Sequence, residues 1–244
     1  MFACKVALST TLAASLFAIA CGGGGDEETD DTAREISSEE LAQMVLAPDQ
    51  FGAEYVRFTP DSENGVLSLD QATQEEDDPE AERADLQQFG YSSGYRSFYS
   101  DTEFQGTGVF YVGGVVYLFT GNDGADGYLS DSVDEFGEMS NDSDVSFSKF
   151  ETFDLDVADE AIGARFEGAV KRDAGSESPL WGAVSYFRHG RITGALSIFG
   201  LQMDDPGKQR IEDNAKALAS VMNERIATVL AAGAGTTAPA ADGR

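Results

Sequence analysis

Two hydrophobic periods alternate along this chain, and the switches between them mark its elements. Ser37-Ser38-Glu39-Glu40 forms a capping box ahead of Leu41, Met44 and Val45, which recur at helical spacing until Pro48 closes the segment. "EYVRFTP" alternates and predicts a strand. Asp78 as N-cap, Pro79 in the first helical position and Gly90 as the stop predict a helix over "PEAERADLQQFG". After Gly90 the period shortens. "GYRSFYSD" reads as a strand, and "TGVFYVGGVVYLFTG" as either a hairpin turning at Gly113-Gly114 or one long strand with a glycine bulge.

Beyond Gly121 the helical period returns, with Ala125, Leu129, Val133 and Phe136 on one face and Gly137 at the end. "DVSFSKFETFDLD" and "AIGARFEGAV" read as strands. "LWGAVSYFRHGRITGALSIFG" predicts a hairpin turning on His189-Gly190. After Pro206 an apolar stripe of Ile211, Leu218, Met222, Ile226 and Val229 predicts a closing helix. Strands outnumber helices and hairpins imply antiparallel pairing. The expected fold is therefore α+β, a single domain with a twisted antiparallel sheet flanked by helices.

The two ends follow a different pattern. "MFACKVALSTTLAASLFAIAC" places Lys5 before an apolar run too short to span a bilayer comfortably. Ala18-Ile19-Ala20-Cys21 resembles the lipobox of bacterial lipoproteins, with Ala18 where Leu is usual. That resemblance implies a signal peptide over 1–20, cleavage between Ala20 and Cys21, and acylation of Cys21. The protein would then be a lipid-anchored component of the cell membrane facing the extracytoplasmic side. "GGGGDEETDDTARE" follows without packable apolar residues, so 21–36 is expected to be a disordered acidic tether reaching on the order of 20 Å. The domain is expected over 37–231 and a frayed tail over 232–244.

Charge and cysteine content narrow the function. The net charge is −28, and losing Lys5 with the signal makes it −29. A nucleic-acid partner needs a basic footprint, so none is expected. The two cysteines are Cys4, lost with the signal, and Cys21, so the domain has no thiol for a disulfide, a metal or catalysis. With one histidine and no phosphate-loop or dinucleotide fingerprint, neither a metal nor a cofactor is expected.

Three segments invite a sharper reading. Gly90-Tyr91-Ser92-Ser93-Gly94 matches the G-x-S-x-G nucleophile elbow, but an elbow has a strand entering and a helix leaving, and here that order is reversed. His189, the sole imidazole, falls in a hairpin turn. Ser92 is therefore read as a turn residue and no catalytic residue is assigned. "NDGADG" fails the calcium-loop pattern, because Gly124 and Val133 stand where ligands are needed; Asp123 is read as a helix cap, and Asp142 and Asp144 as loop residues. Tyr91, Tyr95, Phe98, Tyr99, Phe110 and Tyr111 fit core packing better than a ligand pocket. Paired-carboxylate chemistry stays open because acids are everywhere.

"DPEAERADLQQFGYSSGY", "GADGYLSDSVDEF", "ADEAIGARFE" and "SYFRHGRI" follow one another in an order that resembles uncharacterised lipoproteins of Chloroflexi-type bacteria. The chain departs from that pattern at Tyr91, where Arg is usual, at Ala158, where Gly is usual, and at Arg191, where Asn is usual. It is more distantly similar to PsbP-like proteins and to mycobacterial lipoprotein and kinase-sensor exodomains. The resemblance implies a non-catalytic binding, sensing or interaction module with an unidentified small-molecule or protein partner. A carboxylate-based envelope hydrolase and a structural coat lipoprotein are the alternatives.

Overall fold

The computed structural model describes residues 34–74, 78–104, 106–135, 145–171 and 176–234. Residues 1–33 lie outside it, and with them Ala20 and Cys21, as do Phe136, Gly137, Asp142, Asp144 and the end of the tail. The expected capping box is formed: Ser37 accepts from the Glu40 amide and Glu40 from the Ser37 amide, opening α1 (Ser38–Met44). Short helices α2 (Pro48–Phe51) and α3 (Leu69–Thr73) precede α4 (Pro79–Gln88), which Asp78 caps and Gly90, at φ +75°, ends.

Strands β1 (Thr59–Pro60), β2 (Gly65–Leu67), β3 (Tyr91–Ser100), β4 (Gly108–Phe119), β5 (Val145–Asp154), β6 (Glu160–Lys171), β7 (Glu177–His189) and β8 (Ile192–Leu201) form one sheet. Its order is β1-β3-β4-β8-β7-β6-β5, with β2 also on β3, and every pairing is antiparallel. Helix α5 (Asn122–Glu135) links β4 toward β5, and α6 (Asp205–Ala234) closes the domain. The α+β architecture expected from the sequence is the one observed.

One face of the sheet carries the main core. Val112, Val116 and Leu118 of β4, Leu196 and Ile198 of β8, and Phe187 of β7 pack with the α6 stripe and with Leu41 and Met44 of α1. On the other face, Phe166, Leu180, Val184 and Phe199 gather a second cluster. A chain of ring contacts crosses it from Phe147 through Phe166, Phe199 and Tyr111 to Phe98, with centroids 5.2–5.6 Å apart. Helix α5 lies over one end of this second face, against β4, β7 and β8.

Four local expectations need correction. "EYVRFTP" is not a strand: Ala53–Tyr55 is a 3-10 turn, and only Thr59–Pro60 pairs. Tyr55 and Phe58, three residues apart, are both buried with rings 5.3 Å apart, while Val56 between them is 60% exposed. That is turn spacing, which a short alternating run imitates. Of the two readings of Gly113-Gly114, the single long strand is the one observed, but without a bulge at the glycines, which are the regular interior of β4; the bulge toward β8 lies at Val109/Tyr111. A Cβ at Gly113 would collide with the Phe98 ring, so close packing explains that glycine. The β7–β8 turn is Gly190-Arg191, one residue later than expected, because His189 still pairs with Ile192. Asp123 sits inside the first turn of α5 and does not cap it; the Ala125 amide bonds the Gly121 carbonyl.

At the domain's entrance, Arg34 and Ile36 make contacts on the tether side of Ser37. Arg191 donates to the Arg34 carbonyl, Arg34 pairs with Glu40 and reaches the Val229 carbonyl, and Ile36 packs on the main core. Helix α6 carries on to Ala234.

Candidate functional site

Helix α5 and strand β6 meet at a seam on the second face of the sheet. Gly124 permits the approach of α5 to α4, since a Cβ there would collide with the Phe89 carbonyl. Tyr128 fixes the contact through its ring neighbours Phe89, Tyr117 and Phe119. Leu129 is buried beneath the helix. Beside that contact a half-open cavity of about 280 Å³ lies between Leu129, Ser130 and Val133 of α5 and Glu160, Ala161 and Ile162 of β6. Its volume approaches the lower end of small-ligand sites, about 300 Å³.

Charge collects at one end of the cavity. Asp126 lies one helical turn before Ser130, so both project from the same side of α5. Glu160 opens β6, opposite Arg188 of β7 in the sheet register. Arg188 Nε lies 3.4 Å from Asp126 and 3.9 Å from Glu160, and Nη1 lies 3.6 Å from Asp159. Asp159 also accepts from the Gly190 amide at 2.7 Å. Three carboxylates thus share one guanidinium whose side chain is 17% exposed. The contacts to Nε are too long for ordinary hydrogen bonds, and this buried nitrogen has no such partner.

Burial, a side-chain hydrogen bond with Asp126 and the Asp126 charge all raise the Glu160 pKa above the ordinary carboxylate range, and Arg188 offsets them only in part.

A second ionic cluster lies on the opposite face. Glu212 of α6, 7% exposed, bonds Arg165 at 2.6 Å and Lys216 at 2.8 Å. Arg165 also meets Glu151 at 2.8 Å, Lys149 joins Glu151 at 3.0 Å, and Lys216 stands 4.7 Å over the Phe153 ring. Burial opposes ionisation of Glu212, but Lys216 and Arg165 outweigh it and hold the carboxyl below its usual range. This cluster fastens α6 to β5 and β6.

The segments flagged from sequence fall elsewhere. Ser92 is exposed at a bulge inside β3, not in a turn, and Gly94 lies within the strand. His189 ends β7 and meets Asn223 at 3.1 Å. Strands β4 and β8 separate β3 from β7, so Ser92 and His189 are about 14 Å apart at about 4.8 Å per strand step. They form no dyad. Asn122–Gly127 is the opening of α5 rather than a loop. Among the described residues, no three His, Cys, Asp or Glu side chains converge as metal ligands would. The aromatic residues are buried or half-buried in the sheet, as expected; Tyr91, whose phenol burial pushes upward, donates to the Leu67 carbonyl at 2.8 Å.

Sequence reasoning did not single out Asp126, Glu160 or Arg188. A signal was nonetheless present, because the segments "GADGYLSDSVDEF", "ADEAIGARFE" and "SYFRHGRI" that carry the resemblance are the three that converge here. Ala158, where that resemblance implies Gly, stands at φ +60°, a conformation that favours glycine. No helix among the described residues is long and apolar enough to cross a membrane.

No family model matches the chain, and no curated protein matches it. Among solved structures it is similar to the extracellular domain of PknH from Mycobacterium tuberculosis, with a TM-score of 0.50 at 12% identity over 80% of this chain and 98% of that one. At that identity the likeness is one of fold, and it meets, at that level, the exodomain resemblance drawn from the sequence.

Proposed function

We propose that this chain is a lipoprotein anchored through Cys21 on the extracytoplasmic side, and that its domain binds a small ligand in the α5–β6 cavity as a non-catalytic binding or sensing module. The observation that carries this reading is the cavity itself, with apolar walls from Leu129, Val133 and Ile162 and polar groups at Ser130 and Glu160. The fold likeness to an extracellular domain supports the compartment. The lipobox-like Ala18-Ile19-Ala20-Cys21 supports the anchor, and with it the Chloroflexi-type and PsbP-like resemblances.

The carboxylate arrangement favours binding over hydrolysis. Glycosidase carboxylates stand about 5–5.5 Å or 6.5–9.5 Å apart to leave room for a sugar or a water. Asp126, Asp159 and Glu160 instead converge on the single guanidinium of Arg188, which neutralises them rather than leaving two facing carboxyls free. A coat lipoprotein would need no cavity.

Native mass spectrometry of the full chain, purified from detergent-solubilised membranes, tests the reading. A stoichiometric small-molecule adduct is expected on the wild type and lost in Ser130→Trp, which fills the cavity from the exposed side of α5. An adduct equally strong in both would remove the cavity from the account. Absence of any adduct, together with turnover of envelope glycan, would replace binding with catalysis. Labelled palmitate should enter the wild type and not Cys21→Ser.

A further inference from the structure

Strand β5 ends the sheet, and among the described residues no strand pairs beyond it. It is 10 residues long, nearly twice the usual strand length of about 5–6 residues. A long edge of this kind is a template for adding another strand. Proteins blunt such edges with charges and bulges, and β5 has both, an exposed Lys149 and a bulge at Phe147/Lys149. The lysine is not alone, however. Its side chain lies 3.0 Å from Glu151, which reaches Arg165 and through it Glu212 of α6, so both charges stand on the α6 face. Phe150 between them turns to the other face and packs on the second cluster.

The centre of β5, Phe147-Ser148-Lys149-Phe150-Glu151-Thr152-Phe153, reads alike in both directions once each charge is exchanged for its complement. A second copy laid antiparallel along this edge, about a two-fold axis normal to the sheet at Phe150, keeps each face on its own side. Lys149 of each copy then stands opposite Glu151 of the other on the α6 face, and the two Phe150 rings meet on the second face. Moving the axis by one residue sets Lys149 against Lys149 or Glu151 against Glu151, and directly opposed like charges are destabilising. The charges therefore select one register over its neighbours. They also select the partner, because a strand without the complement leaves the lysine facing no carboxylate. Such a pairing uses up the edge in both copies and closes at two.

We propose that β5 is a self-recognition edge: two copies of this chain join their sheets through antiparallel β5 strands centred on Phe150. The pairing uses no residue of the α5–β6 cavity, so it stands apart from the ligand reading.

The test is sedimentation velocity of the full chain in density-matched detergent at about 0.15 M salt, which screens the repulsion between two chains of net charge −28. The wild type should form a dimer. Lys149→Glu and Glu151→Lys should each weaken it by about tenfold or more, since each turns two attractive opposed pairs into two repulsive ones. An equimolar mixture of these two variants again sets Lys against Glu at every opposed pair and should recover the wild-type association, as should the double exchange. Phe150→Cys should yield a disulfide-linked dimer on oxidation, because directly opposed residues lie within disulfide reach; Thr152→Cys, which stands opposite Ser148 in this register, should not. The cysteine pair decides the matter if Glu151→Lys disturbs the fold through its lost bond to Arg165. A wild type that stays monomeric at about 100 µM, weaker than the micromolar range of standard interfaces, overturns the proposal. So does a dimer that neither charge variant weakens, or a mixture of the two that fails to associate.

Discussion

The two ionic clusters use the same residue types and do opposite work. Around Glu212, three cations (Lys149, Arg165 and Lys216) meet two carboxylates, and every named pair except the ring contact lies within 3.0 Å. Around Arg188, three carboxylates meet one cation, and no ion pair is shorter than 3.4 Å. In a chain with 44 acidic and 16 basic residues the second arrangement is the easily produced one, and the first requires cations to be placed together. The cation-rich cluster fixes the closing helix to the sheet. The cation-poor one leaves three carboxylates to one guanidinium, whose Nε makes no hydrogen bond. Local imbalance of this kind leaves charges incompletely compensated, so the cluster contributes less to stability than the matched one.

Breaking the matched cluster should have the largest effect. Glu212→Gln removes a carboxylate that accepts two charge-assisted bonds, and should destabilise the domain by about 2 kcal/mol. Thermal unfolding would then fall by about 6 °C for a domain of this size. Because the Glu212 pKa is lowered by folding, its stabilisation is complete above the unfolded-state value and disappears as pH falls through the folded one. Acid titration of the unfolding free energy should therefore show a loss in wild type that is smaller in Glu212→Gln.

The seam should respond less, and with the opposite sign. Ala158→Gly relaxes the left-handed residue that leads into Asp159 and Glu160, and should stabilise by about 1 kcal/mol in chemical denaturation. A loss of stability would mean that the strain at Ala158 is offset by contacts of its methyl group. Glu160 gains pKa on folding, so its ionisation costs stability as pH rises through the raised value, and the cost is complete above it. Glu160→Gln should stabilise the protein at neutral pH and leave it unchanged in acid. With a side chain 49% exposed, the gain should stay under about 1 kcal/mol. Ser92→Ala, in neither cluster, should change stability by less than about 0.5 kcal/mol and remove no activity.

How far the sequence could foretell this structure depended on whether a signal was local. The capping box at Ser37, the Asp78-Pro79 start of α4, the β7–β8 hairpin and the α6 stripe are all written in neighbouring residues, and each is present. "EYVRFTP" misled because four or five alternating residues also fit a turn that buries every third one. Gly113-Gly114 misled because the reason for it, the Phe98 ring, arrives from another strand. The site had the weakest local trace. Asp126, Glu160 and Arg188 are more than 25 residues apart in sequence and ordinary among so many acids; only sheet register and the placement of α5 bring them together. The elbow-like Ser92, by contrast, matched a pattern whose one possible imidazole, His189, the sheet order keeps three strand steps away.

The pair of carboxyl groups at the seam can be observed directly by carbon-detected NMR titration of the Asp and Glu side chains. The account predicts that Glu160 titrates above the range of the exposed glutamates, chiefly because burial opposes its ionisation, and moves part of the way back in Asp126→Asn. A Glu160 that titrates with the exposed glutamates, unchanged when Asp126 is replaced, would contradict it.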